Sequence, residues 1–170
     1  MLFSWLYNKD IAGDNNLKID IREAYVEDIN MVEVKLYGVN EIDDSLLSFA
    51  VIVSRYMGKW VWCRNKIRNG WEVPGGRRET GENISETAKR ELYEETGAIK
   101  YELVPICVYS AKYDVERFGM LFFAEITEFG NLPENEIEKI DFFKENPDEL
   151  SFPLIQPKLL NRVKEELKIV

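Results

Sequence analysis

The regular part of the chain opens with period-two alternation. Val32, Val34 and Leu36 alternate with Glu33, Lys35 and Tyr37, the pattern of a half-buried strand. A second apolar run, Leu46–Tyr56, is dominated by Phe49, Val51, Ile52 and Val53. Met57-Gly58 separates it from Lys59–Arg64, which predicts a β-hairpin. Pro74-Gly75-Gly76 reads as a loop, and beyond it the period changes. Ile84, Ala88 and Leu92 recur every four residues and predict a helix over Ile84–Thr96 with one buried stripe. Asn83 followed by Glu86 has the form of a capping box, and Gly97 is a natural terminator. Leu103–Tyr109 and Met120–Ile126 are two further strand-like runs. An acidic stretch, Leu132–Asp141, leads to Phe142-Phe143, and Pro153–Leu167 predicts a closing helix. Residues 1–30 carry short apolar patches broken by Gly13-Asp14-Asn15-Asn16 and read as an N-terminal arm or an extra strand. Strands on either side of a central helix, with a second helix at the end, predict an α/β (α+β) sheet flanked by helices.

Composition narrows the chemistry. The chain has 170 residues, enough for a single domain, and 45% apolar residues exclude disorder. Its net charge of −9 argues against a nucleic-acid polymer or an anionic membrane as partner. No histidine is present, which removes imidazole bases, Ser-His-Asp triads and His-ligated zinc. Catalysis must rest on carboxylates, Lys, Tyr, Cys or an oxygen-held metal. Cys63 and Cys107 sit in apolar runs and read as small buried hydrophobes. No apolar stretch reaches the roughly 20 residues of a membrane helix. The opening MLFSWLYNKDIAGDNN lacks the charge pattern of a secretory signal, so a reducing, cytoplasmic setting is expected.

Charge is uneven along the chain. Between residues 54 and 78, Arg55, Lys59, Arg64, Lys66, Arg68, Arg77 and Arg78 face only Glu72, a zone suited to a small polyanion. It runs into the acidic helix, where Glu91, Glu94 and Glu95 stand at i, i+3 and i+4. Like charges at that spacing destabilise a helix, and the macrodipole disfavours anions in its C-terminal half. The cluster therefore calls for a cation, and hard Mg²⁺ or Mn²⁺ suits an all-carboxylate set. A solvated acidic face, with Arg90 paired to Glu86, is the plainer alternative.

The segment from Gly76 to Ala98 sets these residues in one frame. Gly76, Glu82, Arg90-Glu91-Leu92, Glu94-Glu95 and Gly97-Ala98 follow the spacing G-x5-E-x7-R-E-U-x-E-E-x-G-U, where U is bulky and aliphatic. This resembles the Nudix box of the MutT/Nudix hydrolases over 23 residues, departing only in the small Ala98 at the last U position. The resemblance implies a mixed sheet sandwiched between helices. It also implies Mg²⁺- or Mn²⁺-dependent hydrolysis of a nucleoside diphosphate linked to another moiety. Carried over by position, Glu91, Glu94 and Glu95 would be metal ligands, with Glu82 supporting the site and Arg90 orienting a carboxylate. Gly75 and Gly76 would bring backbone close to the site. Such ions neutralise phosphate oxygens and activate the attacking water. A carboxylate, Glu91, Glu94 or the later-loop Glu136, would take its proton. Arg77 and Arg78, then Arg55 and Arg64, are the candidates for binding phosphate.

The lead-in GWEVPGGRRE and the stretch Glu136-Ile137-Glu138 look most like MutT-type enzymes acting on nucleoside triphosphates, oxidised purine forms included. No SQPWPFPxS-like stretch and no coenzyme A signature is present. Tyr113, 16 residues after Gly97, lies near where diadenosine polyphosphate hydrolases place a Tyr, so dinucleoside polyphosphates stay open. So does a module that senses nucleotide without turnover, and so does a homodimer. Trp60, Trp62, Trp71 or Phe118 could stack on a base, or the alternating Trp60 and Trp62 could cover one strand face.

Overall fold

The computed structural model describes residues 32–112 and 115–169. The proposed arm at 1–30 and Tyr113 lie outside the described residues. Among the described residues eight strands form one mixed sheet: β1 (Glu33–Tyr37), β2 (Leu47–Tyr56), β3 (Lys59–Asn65), β4 (Trp71–Glu72), β5 (Gly75–Arg77), β6 (Ala98–Lys112), β7 (Glu116–Phe129) and β8 (Ile137–Phe143). Helix α1 spans Ile84–Thr96 and α2 spans Gln156–Leu167. The main strand order is β1-β6-β7-β2-β3-β4, with β5 paired to β2 and β8 to β3. Only β2 and β7 run parallel among the paired strands; the remaining pairs are antiparallel.

Strand β2 is the spine of the sheet. Phe49, Val51 and Val53 face one way and Ala50 and Ile52 the other, as strand geometry requires, while an irregularity between Leu47 and Phe49 turns Leu47 to the Ala50 side. Both faces are covered, which is why β2 reads as a continuous apolar run. Ile84, Ala88 and Leu92 of α1 pack on the face formed by Ala50, Ile52, Val108 and Phe122. Leu159, Leu160 and Val163 of α2 pack on the opposite face, with Phe49, Trp62, Tyr109 and Leu121. Among the described residues no helix is long and apolar enough to cross a membrane.

Helix α1 follows the sequence expectation residue for residue. Asn83 accepts from the Glu86 N–H, Glu86 returns a bond to the Asn83 N–H, and Gly97 ends the helix at φ 72°. A side chain at Gly97 would also strike the Asn131 carbonyl, at 2.9 Å. Other expectations need correction. Gly75-Gly76 belong to a short strand, because their backbone pairs with Ala50 and Val51. The strands expected at Leu103–Tyr109 and Met120–Ile126 are the middles of a long hairpin. The second half of the acidic stretch, from Ile137, lies in β8, which pairs with β3. Trp60, Trp62 and Trp71 are all buried in the α2-side core and do not offer a stacking face. Cys63 and Cys107 are buried free thiols, as expected.

Candidate active site

The box folds so that strand β5 delivers backbone to the acidic face of α1. Glu91 and Glu95 are buried, while the Glu94 side chain is 46% exposed. The Gly75 N–H donates to Glu95 Oε2 at 2.9 Å. At Gly76 the space a Cβ would fill is already taken: Glu91 Oε1 lies 1.7 Å and Cδ 2.0 Å from that point. Only glycine lets this strand and this carboxylate share the space.

Arg90 is the hub of the charges. Its Nε and Nη2 donate to the two oxygens of Glu82 at 2.6 and 3.1 Å, a bidentate grip. Its Nη1 donates to Glu91 Oε1 at 2.7 Å and Glu94 Oε2 at 3.0 Å, and Nη2 also reaches the Arg77 carbonyl at 2.8 Å. The expected Arg90–Glu86 pair is therefore replaced, and Glu86 serves the helix cap instead. Glu82 also accepts from Thr87 and from the Glu79 N–H. Hydrogen bonding from Arg90, ahead of these, lowers its carboxyl pKa to about 2.

Burial acts the opposite way on the acids nearest β5. It raises the Glu91 carboxyl, with Arg90 opposing. It raises Glu95 well above the ordinary range, helped by the neighbouring Glu91 and opposed by the Gly75 N–H. Among the described residues no three acidic or cysteine side chains converge as a ready metal cage. The physical reason is visible: Arg90 holds Glu91 and Glu94 through one nitrogen, and Glu95 is drawn to Gly75. The expected trio is adjacent but not closed, and Glu82 has both oxygens committed to Arg90. In donor chemistry the set fits a hard divalent ion. It consists of carboxylates only, two of them buried side by side with their charged forms disfavoured.

The basic zone is largely spent inside the fold. Arg55 pairs with Glu125, and it stands five residues along β2 from Ala50, the partner of Gly76, roughly 16 Å at strand rise. Arg64 pairs with Glu149 and lies over Trp71. Arg78 grips Asp44 through its carbonyl and Oδ2 and donates to the Glu82 carbonyl, bracing the loop while also lining the groove beside the box. Arg77, Ser48 and Thr80 help line an open groove of about 730 Å³ beside the box. Glu136 is half-buried in the loop ahead of β8, and its carbonyl accepts from the Lys66 N–H. Sequence reading overlooked Glu72, a buried carboxylate gripped bidentately by Arg68 at 2.5 and 2.6 Å. The signal was there in the four-residue spacing of Arg68 and Glu72 just ahead of the glycines.

The NUDIX domain profile matches residues 45–165. The chain belongs to the NUDIX family. This NUDIX domain is similar to a pyrophosphohydrolase of Bacillus subtilis, with 26% identity and a TM-score of 0.68 over 78% of this chain and 90% of that one. It is 36% identical over 53 residues to an RNA pyrophosphohydrolase of Haemophilus ducreyi, covering 31% of this chain and 27% of that protein. It is 59% identical over 34 residues to mouse "Nucleoside diphosphate-linked moiety X motif 6", covering 20% of this chain and 11% of that protein. The matches thus span about a tenth to a quarter of these two curated relatives.

Proposed function

We propose that this domain is a divalent-cation-dependent pyrophosphohydrolase of nucleoside triphosphates, oxidised purine forms included, built as one domain over the whole chain. The observation that carries this reading is the pair of buried carboxylates, Glu91 and Glu95, packed against the bare backbone of Gly75-Gly76. A fold meant only to bind would gain stability from neutral groups there. Glu91, Glu94 and Glu95 would hold Mg²⁺ or Mn²⁺, which when bound neutralises phosphate oxygens and lowers the pKa of water. Arg90, gripped by Glu82, restrains the Glu91 and Glu94 carboxylates before substrate arrives. A carboxylate of this group, Glu136 among the candidates, accepts the proton of the attacking water. Arg77, at the groove, is placed to meet a phosphate.

A second reading has specific support. Several relatives carry the printed name RNA pyrophosphohydrolase, so a 5′-triphosphate at an RNA end presents the same chemistry. The pairing of Arg55, Arg64, Arg68 and Arg78 with acids leaves less cationic surface for a long polyanion, which favours small nucleotides. The test is release of phosphate or pyrophosphate, with Mg²⁺, from a panel: ordinary and 8-oxo purine triphosphates, a dinucleoside tetraphosphate and a short 5′-triphosphorylated RNA. Turnover of a triphosphate, lost in Glu94→Gln with fold intact, supports the reading. Binding without turnover across the panel overturns it in favour of a sensor.

A further inference from the structure

Helix α1 ends with a carbonyl in need of a donor. Its last turn leaves Glu94 O without the usual i+4 partner, because the Ala98 N–H turns to Thr96 Oγ1. Asn135 Nδ2 supplies that bond from a loop 41 residues downstream. The other end of the same amide is used too: Asn135 Oδ1 accepts from the Ile137 N–H at 2.8 Å. Lys66 adds two ties, from Nζ to the Asn135 carbonyl at 2.6 Å and from its N–H to the Glu136 carbonyl at 2.9 Å. Ile137, buried and paired with Asn65, fixes the far side. Backbone is thus clamped on both sides of Glu136, whose Cα lies one peptide, about 3.8 Å, from that of the residue bonded to the catalytic helix. Its carboxylate is within Coulombic reach of Arg68, the partner of Glu72.

We infer that Asn135 is a positioning residue: its amide ties the loop to the end of α1 and so sets Glu136 where it can take a proton beside Glu94. The inference rests on the hydrolase reading above and adds to it which residue decides whether the distant acid acts. An amide is suited to the task because it donates to a helix carbonyl and accepts from a loop N–H at once. Loss of the tie lets the loop drift, and a drift of about 1 Å in an acid–base group is enough to cost roughly tenfold or more in rate.

The test is a double-mutant cycle on the best substrate of the panel. Asn135→Ala is expected to lower kcat about tenfold with KM within twofold, and Glu136→Gln to lower it further and to remove the acid limb of the kcat–pH profile. The double variant is expected to be no slower than Glu136→Gln alone, because a seat without its occupant has nothing left to position. Asn135→Asp, which keeps the size and the Ile137 contact but cannot donate to Glu94, repeats the measurement if the alanine variant fails to fold. Multiplying effects in the double variant, or wild-type kcat in Asn135→Asp or in Glu136→Gln, overturns the inference. Those outcomes leave the hydrolase reading standing as long as Glu94→Gln abolishes turnover; inactivity of the unaltered protein on the whole panel removes both.

Discussion

Replacing Gly76 by alanine probes the contact between strand and helix on which the site is built. Gly76 has no positive φ, so an alanine backbone fits β5 without strain. The methyl group does not fit: it would stand 1.7 Å from Glu91 Oε1, 2.0 Å from Cδ and 2.4 Å from Oε2. To reach ordinary van der Waals distance the carboxylate must withdraw by roughly 1.5 Å or more. Glu91 is the far end of a side chain, so it can rotate away, but it then gives up its bond from Arg90. Loss of one charge-assisted hydrogen bond costs about 2 kcal/mol and lowers Tm by about 4–8 °C in a domain of this size. If Glu91 holds the cation as proposed, displacing its carboxylate by more than 1 Å costs about 100-fold or more in kcat. Gly119→Ala is the matched control, since its methyl would meet the buried Phe49 ring at 2.1 Å and should lower stability while sparing kcat well below Tm. The assay is steady-state phosphate or pyrophosphate release alongside thermal unfolding of both variants. If Gly76→Ala keeps kcat within threefold of the parent, the placement of Glu91 does not govern the chemistry and the reasoning fails.

Other outcomes follow from the same charges. Arg90→Lys keeps one cation but cannot hold Glu82 bidentately while reaching Glu91 and Glu94; kcat should fall at least tenfold and urea unfolding should shift by about 1–3 kcal/mol. Glu91 and Glu95 have raised folded pKa values, so between about 4.5 and those values the native state binds more protons than the unfolded one, and cation-free stability should fall as pH rises. Glu95→Gln should flatten that Tm–pH slope, raise Tm at pH 7 without Mg²⁺, and remove the Tm gain that Mg²⁺ gives the parent. Glu82 has the opposite sign: its folded pKa of about 2 makes its contribution complete above about 4.5 and lost as pH falls toward 2, so Glu82→Gln should be no more acid-sensitive than the parent over that window. Circular dichroism followed from pH 6 to pH 2 checks it.

How much was legible varied with the range of the interactions. Helix α1 could be read to the residue because its signals are local, with Asn83 and Glu86 at one end and Gly97 at the other. The box acids were singled out by spacing, and the structure puts Glu91, Glu94 and Glu95 on neighbouring positions, with one Arg90 nitrogen bonded to Glu91 and Glu94 and the Gly75 N–H bonded to Glu95. Strand β5 was missed because Gly75 and Gly76 carry no apolar pattern; what makes them a strand is the backbone of β2. The fates of Arg55, Arg64 and Arg78 were hidden because their acidic partners lie 70, 85 and 34 residues away. Charge counting sees a basic zone, while folding cancels it. Strand β6 was underestimated at its start, where Ile99, Glu102 and Val104 are exposed and hydrophobicity gives no guidance.

Every group that Arg90 touches, from the Arg77 carbonyl to Glu94, is encoded within one short run of chain. The hydrogen bonds around Arg90 therefore draw on no side chain of the β6–β7 hairpin or of α2. Changes in those later segments leave the groove lining at residues 47–48 and 77–80 and the Arg90 hydrogen bonds in place. A chain organised this way can acquire new substrates by altering its periphery, with the charged framework inherited intact.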